Sequence, residues 1–180
     1  MIFNVSEWSR PMPRKSKVLG GLRLAAVVAV LGLALAITAC APRLQSPLNM
    51  HQPPRLTKTH AIMHDGARLP LVRWLPQTPP LAAVVALHGF NDHSGAFDDL
   101  GPALAGAGIA FYAYDQRGFG GAPGRGLWAG GLLMGRDLAE MVRLVRVAHP
   151  TIPVHALGES MGGAVIMAAL AGDARPTIDG

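Results

Sequence analysis

The residues with the clearest chemical potential are Gly158-Glu159-Ser160-Met161-Gly162-Gly163. They follow the apolar run Val154 to Leu157 and open onto a second apolar segment, Ala164 to Ala171. A strand, a serine with glycines two positions to either side, and then a helix is the layout of a nucleophile elbow. So sharp a turn strains the backbone of the serine and brings main chain against main chain, so its flanks must be small. Ser160 then stands where a helix begins, and there free N–H groups and the positive end of the dipole stabilise an anion. The N–H of Met161 is the first such donor. A serine hydroxyl attacks a carbonyl only when a base takes its proton, so Ser160 needs a histidine, and the histidine needs an acid to orient it.

The chain around this site has 180 residues, half of them hydrophobic, and a formal charge of +5. That charge is unevenly spread. Arg10, Arg14, Lys15, Lys17 and Arg23 precede Cys40 with only Glu7 against them, whereas from Cys40 onward 11 basic residues face 10 acidic ones. The near-neutral remainder carries no cluster of basic side chains, which excludes a nucleic-acid partner.

Residues 1–39 read as a targeting segment: a basic region, the unbroken apolar run Leu24 to Ala36, then Ile37-Thr38-Ala39-Cys40. The apolar run is short for a span that needs about 20 residues. Ile-Thr-Ala-Cys resembles the lipobox of bacterial lipoproteins, which implies cleavage before Cys40 and lipid attachment to it. Ala41, in place of Asp, then implies transport to the outer membrane of a Gram-negative bacterium. The alternative is an ordinary signal peptide or anchor helix with an incidental cysteine. Met12 is a second plausible start. Residues 40–56, rich in Pro, Gln, Ser and Asn, are expected to be a flexible tether.

The folded part is expected over 57–180. Asp65-Gly66 between two strand-like runs signals a hairpin. Leu81 to Leu87 and Gly108 to Tyr114 read as strands buried on both faces. Ser94 to Ala107 is a weak helix interrupted by Pro102. Leu133 to His149 is the clearest helix, with Met134, Leu138, Met141, Val142 and Val145 on one stripe. Met161 to Ala171 is apolar all round and therefore expected to be buried. Alternating strands and helices predict an α/β architecture, a mostly parallel sheet with helices on both faces.

Three patches then carry a resemblance: His88-Gly89-Phe90-Asn91-Asp92-His93-Ser94-Gly95, Asp115-Gln116-Arg117-Gly118-Phe119-Gly120, and Gly158 to Gly163. Each ends a predicted strand. Together they resemble α/β-hydrolases of the monoacylglycerol lipase and lysophospholipase group over residues 58–180. The resemblance implies Ser160 as nucleophile and backbone N–H groups of Phe90 and Met161 as the oxyanion hole. It implies His88 and Gly89 as support for the oxyanion loop, because the family's catalytic histidine comes late in the chain. His93 matches a histidine of the family's loop, and an exposed loop histidine is an equal reading. His155 reads as a core residue. Asp115 and Arg117 are expected to form at best a loop ion pair. No histidine spacing suits a metal, and no cofactor is implied.

In such folds the triad runs serine, acid, histidine in chain order. No histidine follows His155, and 20 residues follow Ser160. The chain is therefore expected to be the N-terminal part of a hydrolase, truncated after the elbow helix and inactive alone, with the edge Val154 to Leu157 uncovered. The resemblance implies a serine hydrolase of carboxylic esters, monoacylglycerol or lysophospholipid, held at a membrane by its lipid anchor. Other chemistry on the fold (acyl transfer, peptide hydrolysis, cofactor-free haloperoxidation) and a non-catalytic truncated lipoprotein are the alternatives. Radiolabelled palmitate is expected to enter the chain and to be lost on Cys40→Ser, and label retained by that variant would place the lipid elsewhere.

Overall fold

The computed structural model describes residues 16–38, 42–173 and 175–180. The chain divides into residues 1–41 and 42–180. In the first unit, helix α1 spans Ser16–Thr38, longer at both ends than the apolar run that marks it. The lipid-attachment residue expected at Cys40 lies outside the described residues.

The second unit is built on six strands: β1 (Arg55–Leu56), β2 (His60–Ile62), β3 (Arg68–Trp74), β4 (Ala82–Leu87), β5 (Ile109–Tyr114) and β6 (Val154–Gly158). Their spatial order is β1-β2-β3-β5-β4-β6. The first three strands and the β3–β5 pair are antiparallel, while β5, β4 and β6 run parallel. Gly66, at φ +88°, makes the β2–β3 turn as Asp65-Gly66 predicts. Alternate residues of β4 divide the core. Ala83, Val85 and Leu87 pack against α3 (Gly130–Ala148) and α4 (Met161–Ala171). Val84 and Ala86 pack on the other face with Phe97, Phe111 and Leu104. Helices thus cover both faces, because each parallel crossover must return over the sheet on the side its hand dictates.

Several expectations need correcting. Ser94 to Ala107 is not one helix: a 3-10 turn (Ser94–Phe97) precedes α2 (Leu100–Gly106). Pro102 falls in the first turn of α2, where no N–H is required of it. Helix α4 is not buried all round, for Met167 is 67% exposed and only Gly162, Val165 and Ala169 are buried. Its inner face packs on the sheet and on α3, and among the described residues nothing covers its outer face. The edge of β6 is partly covered, because Asp179 N–H donates to Val154 O (2.8 Å) and Ala156 N–H to Gly180 O (2.9 Å).

The expected tether is instead a strap laid along the domain. Trp128 N–H donates to Arg43 O (2.7 Å), Gln45 N–H to Trp128 O (2.9 Å), Met50 N–H to Asp65 O (3.2 Å) and Gln52 N–H to His64 O (2.9 Å). These bonds use main chain, so a segment without hydrophobic period can still be ordered.

Arg117 does not pair with Asp115. Buried at 1% exposure, it reaches Asp65 (2.7 and 2.9 Å) and Asp137 (2.6 and 2.8 Å), bidentate to each. Asp65 also accepts from Leu48 N–H (2.9 Å) and Ala67 N–H (3.1 Å). Burial works to raise the Asp65 pKa, but the Arg117 bonds and the two backbone donors outweigh it and hold it at about 2. Burial pushes Asp137 up to about 6 against the pull of Arg117, since one guanidinium cannot fully compensate two enclosed carboxylates.

The sign of the pH dependence follows from these shifts. The Asp65 contribution is full above its ordinary value near 4 and is lost as pH falls toward 2. Asp137 is harder to ionise folded than unfolded, so its effect lowers stability as pH rises from about 4 through 6. Urea unfolding across pH is expected to show both limbs, the upper one absent in Asp137→Asn. Arg117→Met, which strands two buried charges, is expected to cost about 3–5 kcal/mol. A neutral Arg117→Met would show that the triad carries no such load.

Candidate active site

Parallel pairing of β4 and β6 puts Leu87 opposite Gly158. The loops that leave these two strands therefore emerge side by side at the carboxyl edge of the sheet. Contacts then lock them together. Glu159 N–H donates to Leu87 O (3.0 Å), and a Cβ placed on Gly89 would lie 3.7 Å from the Glu159 carboxyl carbon.

The elbow itself is drawn as tightly as sterics permit. Ser160 sits at φ 47°, ψ −106°, one of two non-glycine residues with positive φ among those described. A Cβ on Gly158 would run into the backbone of Gly162 and Gly163, and one on Gly162 into the carbonyl oxygen of Leu87. Gly163 is less constrained, its Cβ meeting Gly158 O at 3.5 Å. Ser160 is exposed, at the start of α4. Gly162 N–H donates to Glu159 O (2.7 Å), whereas the N–H groups of Met161 and Phe90 find no acceptor among the described residues. Two unpaired donors thus leave the ends of neighbouring strands, beside an exposed serine.

The loop carrying Phe90 is held at both ends by residues that follow β5. His88 is fully buried. Its Nε2 accepts from Gln116 N–H (3.0 Å) and its Nδ1 bonds Gly89 O (2.8 Å). A backbone N–H can only donate and a carbonyl can only accept, so His88 is the neutral tautomer with its proton on Nδ1. Burial lowers its pKa, offset in part by the Gly89 bond. Gln116 Nε2 also donates to His88 O (2.8 Å). At the far end Asp115 accepts from Ser94 N–H and from Gly121 N–H, each at 2.8 Å. Between these clamps Asn91 takes φ 61°, and Phe90 is 70% exposed with its ring edge-on to Phe119 at 5.4 Å. Loop support by His88 and Gly89 is what the resemblance implies, whereas the part played by Gln116 is not expected from the sequence. Its only signal was its place directly after Asp115 at a strand end.

His93 lies in the same loop, exposed and bonded to Asp92 (3.2 Å), and His155 is half-buried on β6. Ser160 Oγ makes no hydrogen bond among the described residues. Glu159 is exposed, its carboxylate against Gly89.

The sequence pattern of the family described as serine aminopeptidase, S33, matches residues 78–180. The chain belongs to that family. It is 36% identical over 110 residues to a monoacylglycerol lipase of Mycolicibacterium smegmatis, covering 57% of this chain and 37% of that one. It is 34% identical over 119 residues to a monoglyceride lipase of Rattus norvegicus, covering 66% and 39%. The chain thus spans well under half the length of these curated relatives. Among solved structures, a soluble variant of monoglyceride lipase from Saccharomyces cerevisiae in complex with a substrate analog superposes with a TM-score of 0.57 at 28% identity, covering 72% of this chain and 43% of that one. An esterase from Exiguobacterium antarcticum, at 21% identity and a TM-score of 0.52, shares the fold. The S33 chain has the α/β-hydrolase fold, and its matched region holds β4, β5, β6, the loop bearing Phe90 and the elbow.

Two pairs of substitutions separate strain from ordinary packing. Ser160→Gly, free of the Cβ penalty at positive φ, is expected to be about 1 kcal/mol more stable than Ser160→Ala. Gly162→Ala is expected to cost about 2 kcal/mol and Gly163→Ala almost nothing. Denaturant melts with the two alanine variants equally stable would contradict the close approach at Leu87.

Proposed function

We propose that Ser160 is the nucleophile of a carboxylic ester hydrolase acting on monoacylglycerols or lysophospholipids. The observation that carries the reading is the strained, exposed Ser160 on the β6–α4 turn, near two backbone N–H groups that find no acceptor among the described residues. Strain of this kind persists where surrounding structure over-determines it, and it concentrates at functional sites. The lipase relatives support ester hydrolysis, and the family description leaves amide hydrolysis as the second reading.

In the proposed reaction Ser160 Oγ attacks the ester carbonyl as a base removes its proton. The Phe90 and Met161 N–H groups receive the resulting oxyanion. Collapse of the tetrahedral adduct expels the alcohol, which takes the proton, and water then releases the fatty acid from Oγ. His88 is spoken for on both ring nitrogens, so it supports the oxyanion loop and is not the base. The acid and the histidine are proposed to lie in sequence beyond residue 180, in the order the fold uses. A lipid on Cys40 would hold the enzyme at the outer membrane among its substrates.

Residues 1–180 alone are expected to hydrolyse p-nitrophenyl butyrate negligibly. The protein extended through a downstream acid and histidine is expected to react with a fluorophosphonate probe at Ser160. Its monoacylglycerol hydrolysis is expected to fall by at least about a thousandfold in Ser160→Ala. Probe attached elsewhere, or turnover that survives Ser160→Ala, would remove Ser160 from the mechanism.

A further inference from the structure

Beside the oxyanion loop, but without Ser160 in its lining, lies a groove of about 910 Å³. Its walls include Phe90, Phe119, Leu127 and Trp128, and Arg43 and Arg125 also line it. That volume is at the upper end of small-molecule sites, and an apolar lining with a few polar groups is their usual composition.

Charge decides what kind of molecule would fit. Arg43 and Arg125 are exposed, and among the described residues neither makes an ion pair. Arg125 is steadied only by a bond to Gly120 O (3.1 Å). The groove's one carboxylate, Asp92, is already engaged by the N–H of His93 (2.8 Å) and its ring. Two unmatched guanidinium groups beside aromatic walls complement an anionic head on an apolar body.

The walls are also preformed. The strap that carries Arg43 is paired in both directions with Trp128, and Gln45 Nε2 donates to Pro123 O (3.2 Å). Little ordering cost would therefore be left to binding. We propose that this groove binds a single-chain amphiphile with an anionic head, its chain along Phe119, Leu127 and Trp128 and its head at Arg43 and Arg125. A fatty carboxylate and a lysophosphatidate share this chemistry. The proposal does not depend on Ser160 acting as nucleophile.

Trp128 reports on the groove directly. The full chain, held in nanodiscs of zwitterionic lipid, would be titrated with 12-bromododecanoate while tryptophan fluorescence is followed. Saturable quenching is expected in the natural chain and in Ser160→Ala, and the saturable part is expected to vanish in Trp128→Phe. The double variant Arg43→Ala/Arg125→Ala, altered only at exposed side chains, is expected to bind the acid at least tenfold more weakly. The neutral 12-bromododecanol is expected to bind more weakly than the acid to the natural chain and equally to both proteins. Competition by lysophosphatidate would show that a phosphate head is also accepted; failure to compete would confine the site to carboxylates. Quenching that is non-saturable, that survives in Trp128→Phe, or that ignores the two arginines would overturn the proposal.

Discussion

The fold turns on one buried cation. Arg117 takes both oxygens of Asp65 and both of Asp137, and through Asp65 it also secures the backbone of Leu48. Four separate pieces of chain meet there: the strap, the β2–β3 turn, the loop after β5 and helix α3. A buried triad of this kind adds little net stability, because desolvating the charges offsets their attraction. What it adds is position. Arg117 can satisfy its fork of donors only when the turn, its own loop and α3 are in register, with the strap joined through Leu48 N–H on Asp65, and the residues just before it, Asp115 and Gln116, are the ones that clamp the loop bearing Phe90. We read the triad as the registry device of the domain, set directly after the two residues that clamp the loop bearing Phe90.

The parallel register of β4 and β6 supplies the second constraint. With Leu87 opposite Gly158, the loops bearing Phe90 and Met161 have no freedom to diverge, and the absent Cβ of Gly162 lets helix α4 press against Leu87. Backbone donors placed this way cost nothing to reorganise during reaction, which is the basis of oxyanion-type stabilisation. The side chains there can differ widely without moving the N–H vectors.

Much of this was legible in the sequence because local chemistry dictated it. The unbroken apolar runs of β4 and β5, the Asp65-Gly66 turn, the stripe of α3 and the glycines around Ser160 each carry their own signal. The strap did not, since its order rests on main-chain pairing with Trp128, Asp65 and His64, to which its composition is indifferent. Nor did the partners of Arg117, which lie 52 and 20 residues away; nearness in sequence favoured Asp115, but Asp115 is committed to two backbone donors. Helix α4 misled for a different reason. Its uniform apolarity specifies that it can be buried, and which face is covered depends on what packs against it.

The proposed chemistry has two parts with different structural needs. Stabilising an oxyanion requires N–H groups fixed relative to the nucleophile, and every residue that fixes them lies between Asp65 and Gly163. Moving a proton requires a histidine free to bond Ser160 Oγ, and the buried histidine beside the loop cannot serve, because its neutral ring is used twice in holding Gly89 and Gln116. Burial lowers the His88 pKa, and protonation would turn Nε2 from an acceptor into a donor facing the Gln116 N–H. The loop is therefore held most firmly when His88 is neutral, which is also the state in which a serine hydrolase's own catalytic histidine must begin. Burial keeps the His88 imidazole neutral and its two bonds in place, so it fixes the loop bearing Phe90 without itself moving a proton.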